Sequence, residues 1–237
     1  MKYIKILRNF LLITAVCSIW SCAPLYVPNA INAPLLSNQG EVHANISGGT
    51  NGYDLMTSYA ITEHLAIMVN GEYQDRYKVS SISTDIRQHA FGEVGFGYFT
   101  KLNDKARFEA FGGGGYGTAS SYIDNGFINV RAFGEYYRIF IQPSIGTTSD
   151  VFDAAFSMRL GYVSLFNFNK EYTDLFYSPT TFLVEPAATI RVGYKYVKFF
   201  IQIGASFKTD INFYSNNLNP IFLNFGAHLC FGKKWDQ

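Results

Sequence analysis

"FSMRLGY", residues 156–162, places Arg159 inside a run that otherwise reads as buried. Along a β-strand successive side chains face opposite sides. Phe156, Met158, Leu160 and Tyr162 then share one face, and Ser157, Arg159 and Gly161 share the other. The same division recurs along the chain. Tyr137, Ile139, Ile141, Pro143 and Ile145 oppose Arg138, Gln142, Ser144 and Gly146. Val184, Pro186, Ala188, Ile190 and Val192 oppose Glu185, Thr189, Arg191 and Gly193. Ile221, Leu223, Phe225, Ala227 and Leu229 oppose Asn224, Gly226, His228 and Cys230. Period two therefore dominates from residue 41 onward and marks about ten segments, starting near 41, 53, 64, 87, 105, 134, 151, 181, 198 and 219. Most run roughly 10–15 residues, against about 5–6 for an ordinary strand and about 9–11 for a tilted membrane-crossing one.

Connection lengths carry a second signal. "TEH" (62–64), "KLND" (101–104), "TTSD" (147–150) and "KYVK" (195–198) read as tight turns. Longer loops are expected at about 75–86, 118–132, 167–180 and 209–218. Short and long alternate, apart from the short "GTNG" (49–52). One end of the sheet thus carries turns and the other loops, the layout of outer-membrane barrels.

Polar-face composition decides which way the sheet faces. Arg87, Arg107, Arg138, Arg159 and Arg191 come one each from the fourth to eighth segments. Asp54, Glu72, Glu93, Glu109, Asp153 and Glu185 lie on the same side, whereas Lys101, Lys105, Lys195 and Lys198 fall in or beside turns. Arg tolerates dehydration and fits carboxylates as a rigid fork; Lys is a hydrated point charge. A face washed by water uses both, and an enclosed one favours Arg. The eleven residues are expected to form an ion-pair network lining a filled or narrow lumen. The apolar faces are then expected to meet lipid, with Tyr53, Tyr73, Tyr98, Tyr116, Tyr162, Tyr194 and Phe231 as interfacial aromatics.

The N-terminus reads as targeting sequence. Lys2, Lys5 and Arg8 precede the apolar "FLLITAVCSIW", which ends in "IWSC" with Ser21 before Cys22. That resembles a lipobox, so residues 1–21 are expected to be a lipoprotein signal peptide and Cys22 the lipid attachment site. Residues 22–39 hold Pro24, Pro28 and Pro34 and read as an extended tether of about 55 Å at full reach. The barrel is expected over 40–234. Cys230 is the one cysteine left in that body, which excludes a disulfide framework. A net charge of +1 implies no nucleic-acid surface.

No motif carries chemistry. His43, His64, His89 and His228 sit in no His-Glu-x-x-His or Cys-x-x-Cys spacing, so no metal site is expected, and by parity all four face the polar side. Asp85 with His89 is the best pair for a hydrolase at the outer rim. "GGGGYG" (112–117) lacks the Lys-Ser/Thr of a phosphate loop and opens no helix. Its glycines are expected to bend the sheet or admit bulky neighbours from across the barrel, and Pro143 and Pro186 to mark bulges.

"CAPLYVPN" (22–29), "NGYDLMTSYAITEHLAIMVNGEY" (51–73) and "YYRIFIQPSIG" (136–146) together resemble small outer-membrane β-barrel lipoproteins of Bacteroidota. The resemblance implies class and location but no activity. The expectation is an all-β, antiparallel up-and-down transmembrane barrel without enzymatic activity, a structural or binding component of the cell envelope. Its lipid anchor is expected on the periplasmic side, with no cofactor beyond the covalent lipid on Cys22. Outer-membrane lipids, and envelope proteins or glycans at the outer loops, are the expected partners. The alternatives are an outer-membrane hydrolase or acyltransferase, and a soluble periplasmic lipocalin-like carrier of an apolar ligand.

Overall fold

In a computed structural model the described residues are 26–80, 83–124, 126, 129–170, 180–209 and 220–233. The expected signal peptide, Cys22 and the loop around 171–179 lie outside them. Among the described residues, alternating side chains give eleven strands: β1 (Val42–Gly49), β2 (Tyr53–Ala60), β3 (Leu65–Val79), β4 (Thr84–Lys101), β5 (Ala106–Asp124), β6 (Asn129–Thr147), β7 (Phe152–Lys170), β8 (Thr180–Tyr194), β9 (Val197–Ala205), β10 (Phe207–Lys208) and β11 (Ile221–Phe231). Each strand from β1 to β9 pairs antiparallel with the next. β11 pairs with both β9 and β1, which closes the sheet into an up-and-down barrel. β10 continues β9 on β8 in unbroken register, since Gly204 faces Ala187 and Phe207 faces Val184. The barrel thus has ten staves.

The break between β9 and β10 has a local cause. Pro186 has no N–H to give the ladder, and pairing of β8 with β9 begins only at Ala187. Ser206, at the break, instead sends its hydroxyl inward to Glu185 Oε1 at 2.8 Å. The expected bulges at Pro143 and Pro186 do not form. Pairing of Pro143 with Ala110 and of Pro186 with Met158 lies within continuous register. A register shift occurs instead at Phe133–Glu135. Each proline drops its donor on one side while the other neighbour holds the strand.

One end of the barrel carries the connections 61–64, 102–105, 148–151 and 195–196; the other carries 50–52, 80–83, 125–128, 171–179 and 209–220. Successive connections alternate between the two ends, as antiparallel pairing requires, but the expected contrast of short turns and long loops holds only at 171–179 and 209–220: the loops near 75–86 and 118–132 shrink to four residues each, the length of the turns. β4 to β7 are 18–19 residues long. Their loop-side ends mix polar residues such as Asp85, Arg87, Gln88 and Arg131 with Ile86, Ile123 and Val130, so the period-two signal weakens there, yet the strands stay paired. Lys78 faces Asp85, and Arg131 lies 5.3 Å over the Tyr122 ring.

The distribution of side chains follows the parity. Arg138, Arg159 and Glu185 are buried inside, while Ile46, Leu55, Val94, Ile141, Phe182, Ile190, Phe199, Ile203 and Phe225 are exposed outside. Outward aromatics touch across strands as Tyr116–Phe166–Tyr137–Tyr162–Phe182, a ribbon spanning β5 to β8 toward the loop end. The interior is less polar than expected. Phe91, Phe99, Phe111, Tyr136 and Phe140 also point inward and are buried. The glycines of 112–117 make room for them: a side chain at Gly115 or Gly117 would collide with Phe91 at 2.5–2.7 Å. The run does make room for bulky side chains, but they come from the adjacent strands β4 and β6 rather than from across the barrel as expected.

Candidate functional site

What fills the barrel is its own N-terminal segment. Tyr26 through Asn38 are all buried, and they hydrogen-bond to inward side chains from around the whole ring. The expected tether is therefore not free chain over these residues; it is threaded through the lumen. Its direction is set by its contacts. At the turn-bearing end Arg107 Nε donates to Ser37 Oγ at 2.8 Å, and Asn38 Nδ2 to Gly232 O at 2.9 Å. Toward the loop-bearing end Tyr26 packs with Ala119, Ala132, Tyr136 and Leu165. Gly40, at φ +80°, then lets the chain turn into β1.

The lumen grips this segment largely by its backbone. Asn51 Nδ2 donates to Pro28 O at 2.8 Å, and Ala30 N–H donates to Asp54 Oδ1 at 3.0 Å. Gln202 accepts from Ile31 N–H and donates to Ile31 O, both at 2.8 Å, as a neighbouring strand would. Gln142 Nε2 donates to Asn32 O at 2.7 Å, Arg191 donates to Ala33 O, and Leu35 N–H donates to Glu109 Oε2 at 2.9 Å. A buried irregular segment must satisfy its polar backbone groups. Pro28 and Pro34 help by bringing no N–H at all.

A charged group stands at the centre. Arg159 Nε donates to Glu185 Oε2 at 2.6 Å, and Arg138 bonds Glu93. The cross distances, Arg138 to Glu185 and Arg159 to Glu93, are 3.9 Å. Asn29 sits among the four. Its Oδ1 accepts from Arg138 Nη2 at 2.7 Å and Arg159 Nη1 at 2.9 Å, and its Nδ2 donates to Glu93 Oε1 at 3.1 Å. Tyr26 Oη donates to Glu185 Oε1 at 3.0 Å and accepts from Arg138 Nη1 at 2.5 Å. Two cations and two anions cancel, and further hydrogen bonds come from Asn29 and Tyr26 of the segment and from Asn70 and Ser206 of the barrel wall.

The eleven expected network residues therefore divide. Arg138, Arg159, Glu93 and Glu185 form the ion-paired centre. Arg107, Arg191, Asp54 and Glu109 hold the threaded chain. Glu72 faces His89 Nδ1 at 3.4 Å. Asp153 pairs at 2.7 Å with Lys198, which is buried and inward. The exclusion of Lys from the interior is thus corrected: the turn is only Lys195–Tyr196, so Lys198 falls inside β9. Arg87 is not in the enclosed network; it pairs with Asp85 at 2.8 Å, both partly exposed near the loop rim.

The histidines need two corrections. His64 lies exposed in the β2–β3 turn rather than on the polar face. The Asp85–His89 pair is not assembled, since His89 Nε2 meets Tyr136 Oη at 2.6 Å while Asp85 is taken by Arg87. A cluster the sequence reading missed stands at the turn-bearing mouth: Glu41, His43 and Cys230, all buried. His43 and Cys230 are directly opposed in the β1–β11 register. Parity places both inward, but only the pairing of the first strand with the last brings them together.

No protein-family model matches the chain, and no curated protein matches it.

Proposed function

We propose that the protein is an outer-membrane β-barrel lipoprotein, acylated at Cys22, that serves the envelope as a plugged structural or binding component rather than as an enzyme or an open pore. One observation carries the reading: Arg159 is 0% exposed at the barrel axis, while Phe199 on the outer wall is 71% exposed. An exposed apolar wall this extensive belongs in hydrocarbon. A soluble carrier of an apolar ligand needs the opposite arrangement, with a greasy interior and a wettable exterior. The two longest connections, 171–179 and 209–220, lie at the same end, which supports an orientation with that end outward and the other toward the periplasm.

The threading bears on the anchor. From Asn38 at the turn end the chain runs back to Tyr26 in the loop-side half. Four residues reach at most about 14 Å, so an anchor at Cys22 belongs at the loop-bearing, outer end rather than on the periplasmic side expected from sequence. The resemblance to Bacteroidota barrel lipoproteins agrees with the class and leaves the partner at the outer loops open.

The test is made on intact cells and on purified protein. Migration on unheated gels should be heat-modifiable, the N-terminal fragment should carry acyl mass at Cys22, and an epitope placed after Ala23 should be stained without permeabilisation. Water-soluble protein lacking heat-modifiable migration would overturn the barrel-in-membrane reading. Staining only after permeabilisation would overturn the outward anchor alone.

A further inference from the structure

We propose that Glu41, His43 and Cys230 form a binding site for a zinc-class divalent cation that clamps the barrel's seam to the end of its plug. The three donor atoms converge: His43 Nε2 is 2.6 Å from Glu41 Oε1 and 3.3 Å from Cys230 Sγ, and Cys230 Sγ is 3.7 Å from Glu41 Oε1. A tetrahedral zinc with bonds of about 2.0–2.3 Å needs donor atoms roughly 3.2–3.8 Å apart. Two of the three edges already fit, and the third opens by about 0.6 Å when the hydrogen bond gives way to coordination.

The arrangement serves a metal better than it serves protons. In a nucleophile–base–acid relay the thiol and the carboxylate sit on different ring nitrogens. Here both face Nε2, while Nδ1 is buried without a hydrogen-bond partner. A single Nε2 proton serves one neighbour; a cation engages all three lone pairs at once. The imidazole, carboxylate and thiolate set suits zinc rather than calcium or magnesium. The carboxylate is also held in place from behind, since Glu41 Oε2 accepts from Ser37 N–H at 2.8 Å and Asn38 N–H at 3.1 Å. The His228 ring stands edge-on 4.8 Å from the His43 ring, but its Nδ1 is taken by Asn45 Oδ1 at 2.6 Å and it does not converge with the three donors, so the fourth position falls to water. Nearby positive charge from Arg191, Lys198 and Lys233 is offset by Asp153 and by the anionic ligands themselves. Bound there, the cation ties β1 to β11 and both to the Ser37–Glu41 end of the threaded segment.

Cobalt tests this directly, because thiolate-bound Co2+ has a near-ultraviolet charge-transfer band. The full chain, folded in detergent, is titrated with Co2+ and then with Zn2+. The expected result is saturation at one Co2+ per chain, with a thiolate band that Zn2+ abolishes. The band should persist in Cys17→Ser/Cys22→Ser, whose changes lie outside the described residues, and vanish in Cys230→Ser. Glu41→Gln should weaken binding about tenfold or more. A folded wild-type barrel that develops no such band overturns the proposal, as does a band that survives Cys230→Ser or is lost with Cys17 and Cys22. Because the wild type and the Cys17/Cys22 variant decide the matter between them, a Cys230→Ser chain that fails to fold leaves the test intact.

Discussion

Arg159 and Glu185 are directly opposed in the β7–β8 register, and the guanidinium Nε donates to the carboxylate at 2.6 Å with neither side chain exposed. Removing one partner strands a buried charge, which typically costs about 3–5 kcal/mol; exchanging both for neutral groups costs much less. Arg159→Met should therefore destabilise the barrel by roughly that amount. Adding Glu185→Gln should recover part of the loss, with a coupling of about 0.5–3 kcal/mol. Urea titrations followed by heat-modifiable migration measure both. Strict additivity would mean the pair is hydrated and the lumen open.

Asn29 offers a narrower probe of the plug. One amide engages Arg138, Arg159 and Glu93, and hydrogen bonds to charged groups contribute about 1.5–3 kcal/mol each when lost from a buried site. Asn29→Ala should lower stability by about 2–4 kcal/mol while leaving strand content by circular dichroism unchanged. Deleting 26–38 goes further: a barrel that still closes should conduct steadily in planar bilayers, where the full chain should not. Equal conductance with and without the segment would contradict its role as a plug.

The two faces of each strand were legible from residues alone, because a period of two leaves no freedom once one side is buried. The "FSMRLGY" run shows this, and Arg159 faces the axis as its parity demands. The ends of β3 to β6 were not legible, since residues such as Lys78, Asp85 and Arg131 are polar and hydrated on either face. The threaded segment was hidden for a different reason. "YVPNAINAPLLSN" (26–38) has no period, and its prolines and asparagines read as linker unless the side chains that receive its backbone are known. Lys198 was misplaced by counting "KYVK" as a four-residue turn. Glu41, His43 and Cys230 need the closure of β1 on β11, a contact across nearly the whole chain that local pattern does not encode.

Ile141 tests the surroundings of the outer wall. It is 58% exposed on β6 between the aromatic ribbon and the turns. Arg at mid-membrane on a lipid-facing strand costs about 2–4 kcal/mol, whereas an exposed substitution on a soluble protein usually stays within about 0.5 kcal/mol. Ile141→Arg should fall in the first range when unfolding is measured in phospholipid bilayers. Inward Ser144→Ala, at a neighbouring height, serves as the control that changes no lipid contact. A neutral Ile141→Arg would place that wall in water.

Glu41 gives the plug a dependence on pH. Burial alone would raise its carboxyl, but the His43 hydrogen bond and charge, Lys233 and the Ser37 N–H outweigh it and hold the group below the ordinary 4.5. A group whose folded value is depressed stabilises the fold above its unfolded value and loses that contribution as pH falls through the folded one. The Ser37–Glu41 contacts should thus be intact at about pH 7, begin to weaken near the ordinary carboxyl range, and be lost in stronger acid. Hydrogen exchange of the Ser37 and Asn38 amides, followed down the pH range with chelator present and corrected for intrinsic rates, should show protection falling over that window. Glu41→Gln should abolish the dependence, because its amide stays neutral throughout. If the two amides keep their protection in acid while the barrel remains folded, the carboxylate is not what holds the end of the plug.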